Sequence, residues 1–462
     1  MKVINSFLWE CLAIIPSVLM AQTANKQPNI VLILADDMGC ECLGCYGSTY
    51  QTPNLDKLSE IGVRFDNCFS QPLSTPSRVQ LMTGKYNNKN YSCFGHLNQK
   101  EKTFAHLAKD AGYTTMIAGK WQLGRNRNLP NHFGFDHYCL WQLSYDRMIK
   151  ERYAAPLIEQ DGNIKLYSNN EYGPDIFTQY VIDFIEKNKT KPFFIYYPMV
   201  LVHDPFYPTP QSDVWKDPSM REVRNTANFT KMVEHVDKNI NMIFNKLENL
   251  NLLNNTIIIF IGDNGTNRNI RTTMKDGTIV RGGKGLTIDT GVRVPMIVYW
   301  GKNNNTKHEC ADMIDFTDFM PTFAEAMNIK VPKQWDIDGQ SFLPQIKGEK
   351  GKYREWVFCH YDSRFNASAS KNAKQFFRDM RYKLYSNGNF YDTIKDPKET
   401  NPIAKGKGNA EAEKSRRKLE RLFANIPAWK VGDPAIPMCI LPEFPLLQTP
   451  KNISLEQILH SY

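Results

Sequence analysis

Five short apolar segments, separated by helical stretches, constrain the fold of this chain more than any other feature. They are rich in β-branched and aromatic residues and do not alternate with polar ones, as is typical of central strands covered on both faces. The segments are Ile30–Ala35, Thr115–Ala118, Phe193–Tyr197, Ile257–Ile261 and Met296–Tyr299. Helical patterns lie between them, at Thr103–Ala111, Asp175–Lys187 and Phe229–Asn249. This alternation predicts an α/β fold with a large, mostly parallel sheet flanked by helices.

Polar residues with useful chemistry follow four of these strands. They are Asp36 and Asp37 after the first, Lys120 after the second, His203 beyond the third, and Asp263 and Asn264 after the fourth. Ligands of open α/β sheets bind beyond the carboxyl ends of the strands, so these side chains are expected to converge. A turn or cap role would explain any one of them, since Asp and Asn are common there, but it does not explain the set.

Three carboxylates and one amide in this set indicate a site for a hard cation. Oxygen ligands suit calcium or magnesium rather than zinc, and the adjacent pair Asp36 and Asp37 would repel each other without a cation nearby. The sequence does not choose between the two metals. The cluster Cys40, Cys42 and Cys45 has no second pair at zinc-site spacing, so we predict buried thiols, with one or two disulfides as the alternative.

Ser74 begins a second chemically suggestive segment, Ser-Thr-Pro-Ser-Arg, which leads into a helical pattern. Pro76 suits an early helical position and Thr75 is a candidate cap, which would place Ser74 at the positive, anion-binding end of the helix. Arg78 lies one turn along. A serine nucleophile needs a base, and the chain has no Gly-x-Ser-x-Gly elbow, so residue chemistry alone leaves the activation of Ser74 unexplained.

The segment Ser-Thr-Pro-Ser-Arg-Val-Gln-Leu-Met-Thr-Gly at 74–84 resembles the signature of the formylglycine-dependent sulfatases, which runs Cys/Ser-x-Pro-Ser/Ala-Arg and closes on Thr-Gly. Further motifs of this family occur in order along almost the whole mature chain, on both sides of this segment. They are Pro-Asn-Ile-Val-Leu-Ile-Leu-Ala-Asp-Asp at 28–37, Ala-Gly-Lys-Trp-Gln-Leu-Gly at 118–124, Pro-Phe-Phe-Ile-Tyr-Tyr at 192–197 with His203-Asp204-Pro205, Gly-Asp-Asn-Gly at 262–265, Gly-Gly-Lys-Gly at 282–285, Gly-Val-Arg-Val-Pro at 291–295, Asp-Phe-Met-Pro-Thr at 318–322 and Asp-Gly-Gln-Ser-Phe at 338–342.

The resemblance implies an alkaline-phosphatase-like sulfatase fold and a built-in cofactor. Ser74 would be oxidised to formylglycine, whose hydrate is the nucleophile that attacks sulfur. A serine at this position resembles the subset of the family matured by an anaerobic sulfatase-maturating enzyme. The implied calcium ion, with magnesium as the alternative, would be held by residue 74 and the four oxygen ligands Asp36, Asp37, Asp263 and Asn264.

The resemblance also assigns roles at the sulfate group. Arg78 would stabilise the hydrate, Lys120 and Lys284 would bind the sulfate oxygens, and His203 would protonate the leaving alcohol. The implied reaction is hydrolysis of sulfate esters, with a sulfated carbohydrate as substrate. Family specificity pockets draw on variable loops, which fall here at His132–Tyr172, Tyr207–Arg224 and Asn264–Arg281. His360 and Arg364 are further candidates for the pocket mouth.

Gln122 departs from the family motif, which has histidine at this position. Glutamine can hydrogen-bond to a substrate but cannot take a proton, so the base is unassigned; a metal-bound aspartate is one candidate. Two alternatives to an active sulfatase stay open. One is a phosphate or phosphonate ester hydrolase with an unmodified Ser74, and the other is a glycan-binding descendant that has lost activity.

The two ends of the chain suggest export and a second structural unit. Residues 1–21, with Lys2, an apolar run and Ala21 at the cleavage point, resemble a signal peptide rather than a membrane anchor, which places the protein in a bacterial periplasm or outside the cell. We predict a catalytic domain over 22–346 and a smaller α+β subdomain over 347–462. Predicted elements of that subdomain are strands at Glu355–Tyr361, Met380–Ser386 and Asn389–Tyr391, a helix at Asn409–Phe423 and a Pro-rich tail at Pro434–Pro450.

The formal charge of +9 fits acidic substrates, but no nucleic-acid-binding motif accompanies it. No pattern in the sequence fixes the oligomeric state.

Overall fold

A computed structural model describes residues 27–428, apart from 146–147, 149, 169, 302–307, 365–369 and 372. The predicted signal peptide at 1–21 and the predicted tail at 434–450 lie outside the described residues. Within the described part, no helix combines the length and the apolarity needed to cross a membrane.

Strands and helices alternate over most of the described chain. In chain order the strands are β1 (Asn29–Ala35), β2 (Val63–Phe69), β3 (Thr114–Gly119), β4 (His137–Trp141), β5 (Leu157–Gln160), β6 (Asn163–Leu166), β7 (Phe193–Pro198), β8 (Thr256–Gly262), β9 (Arg271–Thr273), β10 (Ile279–Arg281), β11 (Arg293–Trp300), β12 (His308–Asp315), β13 (Val357–Tyr361), β14 (Lys374–Arg378), β15 (Tyr382–Tyr385) and β16 (Phe390–Asp392). The helices are α1 (Pro53–Ile61), α2 (Ser74–Thr83), α3 (Asn87–Asn90), α4 (Phe104–Asp110), α5 (Leu129–His132), α6 (Gly173–Asn188), α7 (Asn228–Asn249), α8 (Asp289–Val292), α9 (Phe319–Ala326), α10 (Leu343–Ile346) and α11 (Ala410–Phe423).

Ten strands form one large sheet, in the order β12-β2-β11-β8-β1-β7-β3-β4-β5-β6. The five central strands, β8, β1, β7, β3 and β4, run parallel to one another. Strand β11 is antiparallel to both of its neighbours, and so is β5. All five predicted strands are present, so the predicted α/β sheet is confirmed, but the sheet is mixed. An apolar run indicates burial on both faces but carries no information about strand direction. The sequence pattern therefore did not show that β11 runs antiparallel to its neighbours.

Strand β1 shows why these segments are apolar without alternation. Its side chains Ile30 and Leu32 pack with residues of α2, α4 and α9 on one face of the sheet. Val31 and Ile33 pack with residues of α6 and α7 on the other face. Because both faces are covered, every position of the strand is buried and apolar side chains are favoured throughout.

A second, antiparallel sheet lies toward the C-terminus, in the order β13-β14-β15-β16. Ala412 and Leu419 of α11 pack on one of its faces. The other face packs with Phe69 and Val292, at the ends of β2 and α8 of the larger unit. The three strands and the helix predicted here are found, with β14 added between the first two; the predicted boundary at 346–347 stays a prediction.

Cys40, Cys42 and Cys45 are free thiols and form no disulfide. Cys42 is buried, and Cys40 and Cys45 are half-buried. Burial raises the pKa of each of these three thiols, as expected for packing residues.

Candidate active site

The carboxyl ends of β1 and β8 bring four predicted ligands together. These strands are parallel neighbours, with Ala35 opposite Gly262, so Asp36 and Asp37 face Asp263 and Asn264. The backbone N–H of Asp37 donates to Asp263 Oδ1 at 2.9 Å, and Asn264 Nδ2 donates to Asp37 Oδ1 at 2.9 Å. All four side chains are fully buried. The convergence predicted from strand ends is therefore found for all four.

Ser74 enters this cluster from the first position of α2. Its Oγ lies 3.0 Å from Asp36 Oδ1 and 3.2 Å from Asn264 Oδ1, and it accepts from Lys120 Nζ at 3.3 Å. The predicted cap is wrong: Leu73 holds the N-cap position, and Thr75 is the second helical residue. The Thr75 hydroxyl instead accepts from the backbone N–H of Gly95 at 3.2 Å.

Lys120 reaches the cluster because β3 and β7 approach closely at their ends. A Cβ at Gly119 would lie 2.2 Å from the carbonyl oxygen of Pro198, and the φ of Gly119 is +109°, so only glycine fits here. The next residue then donates its backbone N–H to the same carbonyl at 2.7 Å. This turn aims Lys120 Nζ at both carboxylate oxygens of Asp36, at 2.8 and 2.9 Å.

Two further predicted cations pair with the remaining carboxylates. Arg78 Nη2 donates to Asp263 Oδ2 at 3.1 Å, and Lys284 Nζ donates to Asp37 Oδ2 at 2.6 Å. Arg78 is fully buried, whereas the Lys284 side chain is about one-fifth exposed. The site is thus a buried set of carboxylates surrounded by cations, with one lysine at its solvent side.

The buried charges shift the pKa values of this cluster in opposite directions. Burial, together with the charge of Asp36, raises the pKa of Asp263 to about 7. Burial also opposes ionisation of Asp36, but the surrounding positive charges, with Lys120 first among them, together outweigh it and hold the pKa of that carboxyl well below its usual range. Burial lowers the pKa of Lys120 to about 8. Asp263 is therefore the carboxylate whose charge is least well compensated by protein groups.

This donor set fits a hard divalent cation. The converging atoms are oxygens of Asp36, Asp37, Asp263 and Asn264, with the Ser74 hydroxyl between two of them. Burial, together with repulsion from Asp36, raises the pKa of Asp263, and a cation would offset both effects. Within the described part of the chain, Asp36 and Asp37 also form a cluster of possible metal ligands with His203, all ligand atoms lying within 4.8 Å of one another.

His203 lies at the solvent side of the same cluster. Its Nε2 is 3.8 Å from Asp37 Oδ2, and its side chain is 24% exposed. The hydroxyl of the buried Tyr153 donates to the carbonyl of His203, which fixes the loop after β7. Burial lowers the pKa of His203 to about 3.

Gln122 has an unsatisfied side chain in the loop that follows β3. It adopts a left-handed backbone conformation, with φ of +55°. Its Oε1 is buried and has no hydrogen-bond partner. Because buried acceptors are normally satisfied, this carboxamide is available to a bound molecule.

An open cavity of about 590 Å³ lies beside Lys284. It is lined by Leu73, Phe94, Asn267, Arg268, Asn269, Lys284, Gly285, Tyr361 and Ser363. Among the described residues of the three loops predicted to form a specificity pocket, those that line this cavity all belong to the loop after Asn264. His360 and Arg364 are buried and do not line it; their neighbours Tyr361 and Ser363 do, so the smaller sheet contributes to the cavity wall.

One residue of the site was missed by sequence reasoning. Arg152 is 7% exposed, and its Nη1 lies 3.9 Å from Asp36 Oδ2. Its guanidinium lies over the ring of Trp141, with Cζ 4.3 Å from the ring centroid. Arg152 belongs to no recognised motif, and the only signal was its position within the predicted variable loop His132–Tyr172.

Comparison with known proteins agrees with this geometry. Residues 28–329 match the sulfatase family model, and residues 283–425 match the model for the C-terminal region of N-sulphoglucosamine sulphohydrolase. Arylsulfatase J from Mus musculus is 30% identical over 70% of this chain, which spans 56% of that relative's length. N-acetylglucosamine-6-O-sulfatase from Bacteroides thetaiotaomicron is 25% identical over 86% of both chains.

The fold agrees as well. A protein solved in complex with its substrate D-glucosamine-2-N,6-O-disulfate superposes with a TM-score of 0.68, at 24% identity, over 86% of this chain and 97% of the other. The resemblance and the fold class predicted from sequence are therefore confirmed, and the chain belongs to the sulfatase family of sulfuric ester hydrolases.

Proposed function

We propose that this protein hydrolyses sulfate esters of carbohydrates and releases inorganic sulfate. The observation that carries the proposal is the position of Ser74, whose Oγ lies among Asp36, Asn264 and the ammonium of Lys120. A reacting oxygen at this place would meet both ligands for a cation and donors for an anion. The likeness to a bacterial N-acetylglucosamine-6-O-sulfatase over most of both chains supports a carbohydrate substrate.

Two groups are proposed to complete the site. Formylglycine, made from Ser74 by an anaerobic maturating enzyme, would supply a nucleophilic oxygen together with a route for releasing sulfate that a plain serine lacks. A calcium ion, or magnesium in its place, would be held by Asp36, Asp37, Asp263, Asn264 and residue 74, and would neutralise charge near the sulfuryl group.

The remaining roles belong to side chains of the cluster. Lys120 donates to Asp36 and Lys284 donates to Asp37. Both lysines are proposed to donate to the sulfuryl oxygens of a bound substrate. Arg78 pairs with Asp263 and holds that carboxylate in place at the buried side of the site. His203, at the solvent side, is proposed to protonate the leaving alcohol; a bound anion would favour its charged form, as an opposite charge does.

The test is mass spectrometry of the peptide that contains Ser74, after anaerobic expression with and without a serine-type maturating enzyme. We expect the loss of two hydrogens from Ser74, and turnover of members of a panel of sulfated mono- and oligosaccharides by the modified protein only. An unmodified serine in a protein that turns over a phosphate ester would contradict the proposal. Cell fractionation tests the accompanying proposal that residues 1–21 direct export to the periplasm or beyond.

Gln122→His is expected to raise kcat at neutral pH, by up to about 10²-fold, because an imidazole can accept a proton and a carboxamide cannot. The backbone at 122 tolerates the change, since histidine is among the residues that adopt positive φ more readily than most. The substitution also removes a buried acceptor that has no partner. Steady-state kinetics across a pH series measure the effect.

Gln122→Asn is the matched control for this substitution, because it keeps the amide and adds no proton acceptor. We expect Gln122→Asn to leave kcat at or below that of the natural protein. If the histidine and asparagine variants have the same kcat and the same pH profile, the absence of a base at 122 does not limit the reaction.

A further inference from the structure

Arg152 has buried N–H groups that find no hydrogen-bond partner among the described residues. Its Nε and Nη1 are both buried and make no hydrogen bond. The 3.9 Å between Nη1 and Asp36 Oδ2 is an ion-pair distance but too long for a hydrogen bond. Leaving buried donors of a charged group unsatisfied is costly, so a side chain built in this way is suited to an acceptor that binds there.

The surroundings of Arg152 hold its guanidinium in place. The guanidinium lies over the ring of Trp141, and Trp141 Nε1 donates to the carbonyl of Lys150 at 3.0 Å. The carbonyl of Arg152 packs against Gly173 at the start of α6, where a Cβ would lie 2.1 Å away. The next residue, Tyr153, donates to the carbonyl of His203. Arg152 and His203 therefore belong to one connected wall of the site.

Asp36 has other cationic partners besides Arg152. Asp36 is already paired with Lys120 at 2.8 Å and contacts Arg78 at 3.7 Å. Around the buried cluster, the cations Arg78, Lys120, Lys284 and Arg152 lie within ion-pair distance of the three carboxylates Asp36, Asp37 and Asp263, and the charge of Arg152 also acts on the adjacent Glu151. The proposed cation would add further positive charge. Four permanent or nearly permanent cations around three carboxylates favour an anionic ligand.

The same charge reaches the neighbouring catalytic candidates. Burial is the main cause of the lowered pKa of His203, and the charge of Arg152 adds to it. Burial likewise dominates at Lys120, where Arg152 again favours the neutral form. An anion placed among these three side chains would be stabilised by all of them.

We propose that Arg152 binds an oxygen of the sulfuryl group that is cleaved, and that it supplies there a positive charge and an N–H donor. This inference rests on the proposed function. The reacting group is favoured over a distant substituent of the sugar because Arg152 contacts Asp36, the carboxylate 3.0 Å from Ser74 Oγ. An arginine supplies charge and donors but cannot accept a proton, so Arg152 does not serve as the base.

The test compares Arg152→Gln and Arg152→Lys in the full-length, matured and metal-loaded protein. We expect Arg152→Gln to lower kcat/KM for a monosulfated neutral sugar by about 10²-fold, as for loss of a donor to developing charge. Its inhibition constant for inorganic sulfate should rise about tenfold, and Arg152→Lys should recover part of both losses. Addition of guanidinium to Arg152→Ala should restore some turnover, which a purely structural role would not produce.

Arg381→Gln is the matched control, because Arg381 pairs with Asp392 and Glu411 in the smaller, C-terminal unit and belongs to none of the predicted site loops. It should leave kcat/KM and sulfate inhibition unchanged. An equal loss in both variants would overturn the proposal. So would a loss in Arg152→Gln that appears only with substrates carrying a second anionic substituent, since Arg152 would then bind that substituent.

Calorimetric titration with inorganic sulfate separates failure of this inference from failure of the proposed function. If the protein turns over phosphate esters instead, weaker sulfate binding by Arg152→Gln than by Arg381→Gln still supports an anion-binding role at the reacting group. If the two variants bind sulfate equally well, the role of Arg152 is overturned even when the protein is an active sulfatase. Thermal melting identifies a variant that does not fold, and Arg152→Lys then carries the comparison.

Discussion

Ser74→Ala is expected to reduce turnover of sulfated sugars to background, a loss on the order of 10⁴- to 10⁶-fold, as for removal of the nucleophile in other hydrolases. The methyl group can neither be oxidised to an aldehyde nor attack sulfur. The fold should survive, because Asp36 keeps both hydrogen bonds from Lys120. The variant loses the hydrogen bond that the Ser74 hydroxyl donates and the one that it accepts from Lys120, each worth about 1 kcal/mol. Kinetics with a sulfated sugar and a melting curve measure the two effects.

Ser74→Cys is the informative companion of this variant. The family signature accepts cysteine or serine at this position, so a matured Ser74→Cys protein should keep activity. Residual turnover in Ser74→Ala close to that of the natural protein would contradict the assignment of residue 74 as the reactive centre. Loss of activity in both variants with unchanged melting would instead indicate that the maturating enzyme does not accept cysteine here.

The arrangement of the site could be predicted from the sequence where it depends on local rules. Residues that follow buried parallel strands meet at one edge of the sheet, and this rule alone brought Asp36 together with Asp263. Gly119 is required because the backbone passes close to Pro198. The sequence motif contains this glycine but does not show why it is needed. In these cases a short stretch of sequence contains the physical cause of the geometry.

Other features depend on contacts that no short stretch contains. Strand β2 was missed because polar residues such as Arg64 and Asp66 interrupt it, and it becomes a strand through pairing with β11 and β12. The direction of β11 depends on the path of the chain after β8. Arg152 acquires its position from Trp141 and from the packing of its backbone on Gly173. A lone arginine in a variable loop has no sequence pattern that distinguishes it from a surface residue.

Removal of divalent metal by a chelator is expected to abolish turnover, and calcium or magnesium should restore it. The reason lies in the buried carboxylates: burial and the charge of Asp36 raise the pKa of Asp263 to about 7, so protein cations alone do not fully compensate it. A cation at about 100 times its dissociation constant stabilises the folded state by about 2.7 kcal/mol. Melting curves in a series of calcium and magnesium concentrations measure this, and the metal that acts at lower concentration is the natural ligand.

Asp263→Asn should remove the metal dependence of turnover and of the melting temperature, because the amide keeps the shape of the side chain and loses its charge. Asp237→Asn is the matched control: Asp237 is a buried carboxylate that accepts from the backbone N–H groups of Asn54 and Leu55 at the start of α1 and touches none of the predicted metal ligands. It should lower the melting temperature and leave the response to metal intact. If chelated protein keeps its turnover, or if Asp263→Asn responds to calcium as the natural protein does, the carboxylate cluster is a set of ion pairs with Arg78, Lys120 and Lys284 rather than a metal site.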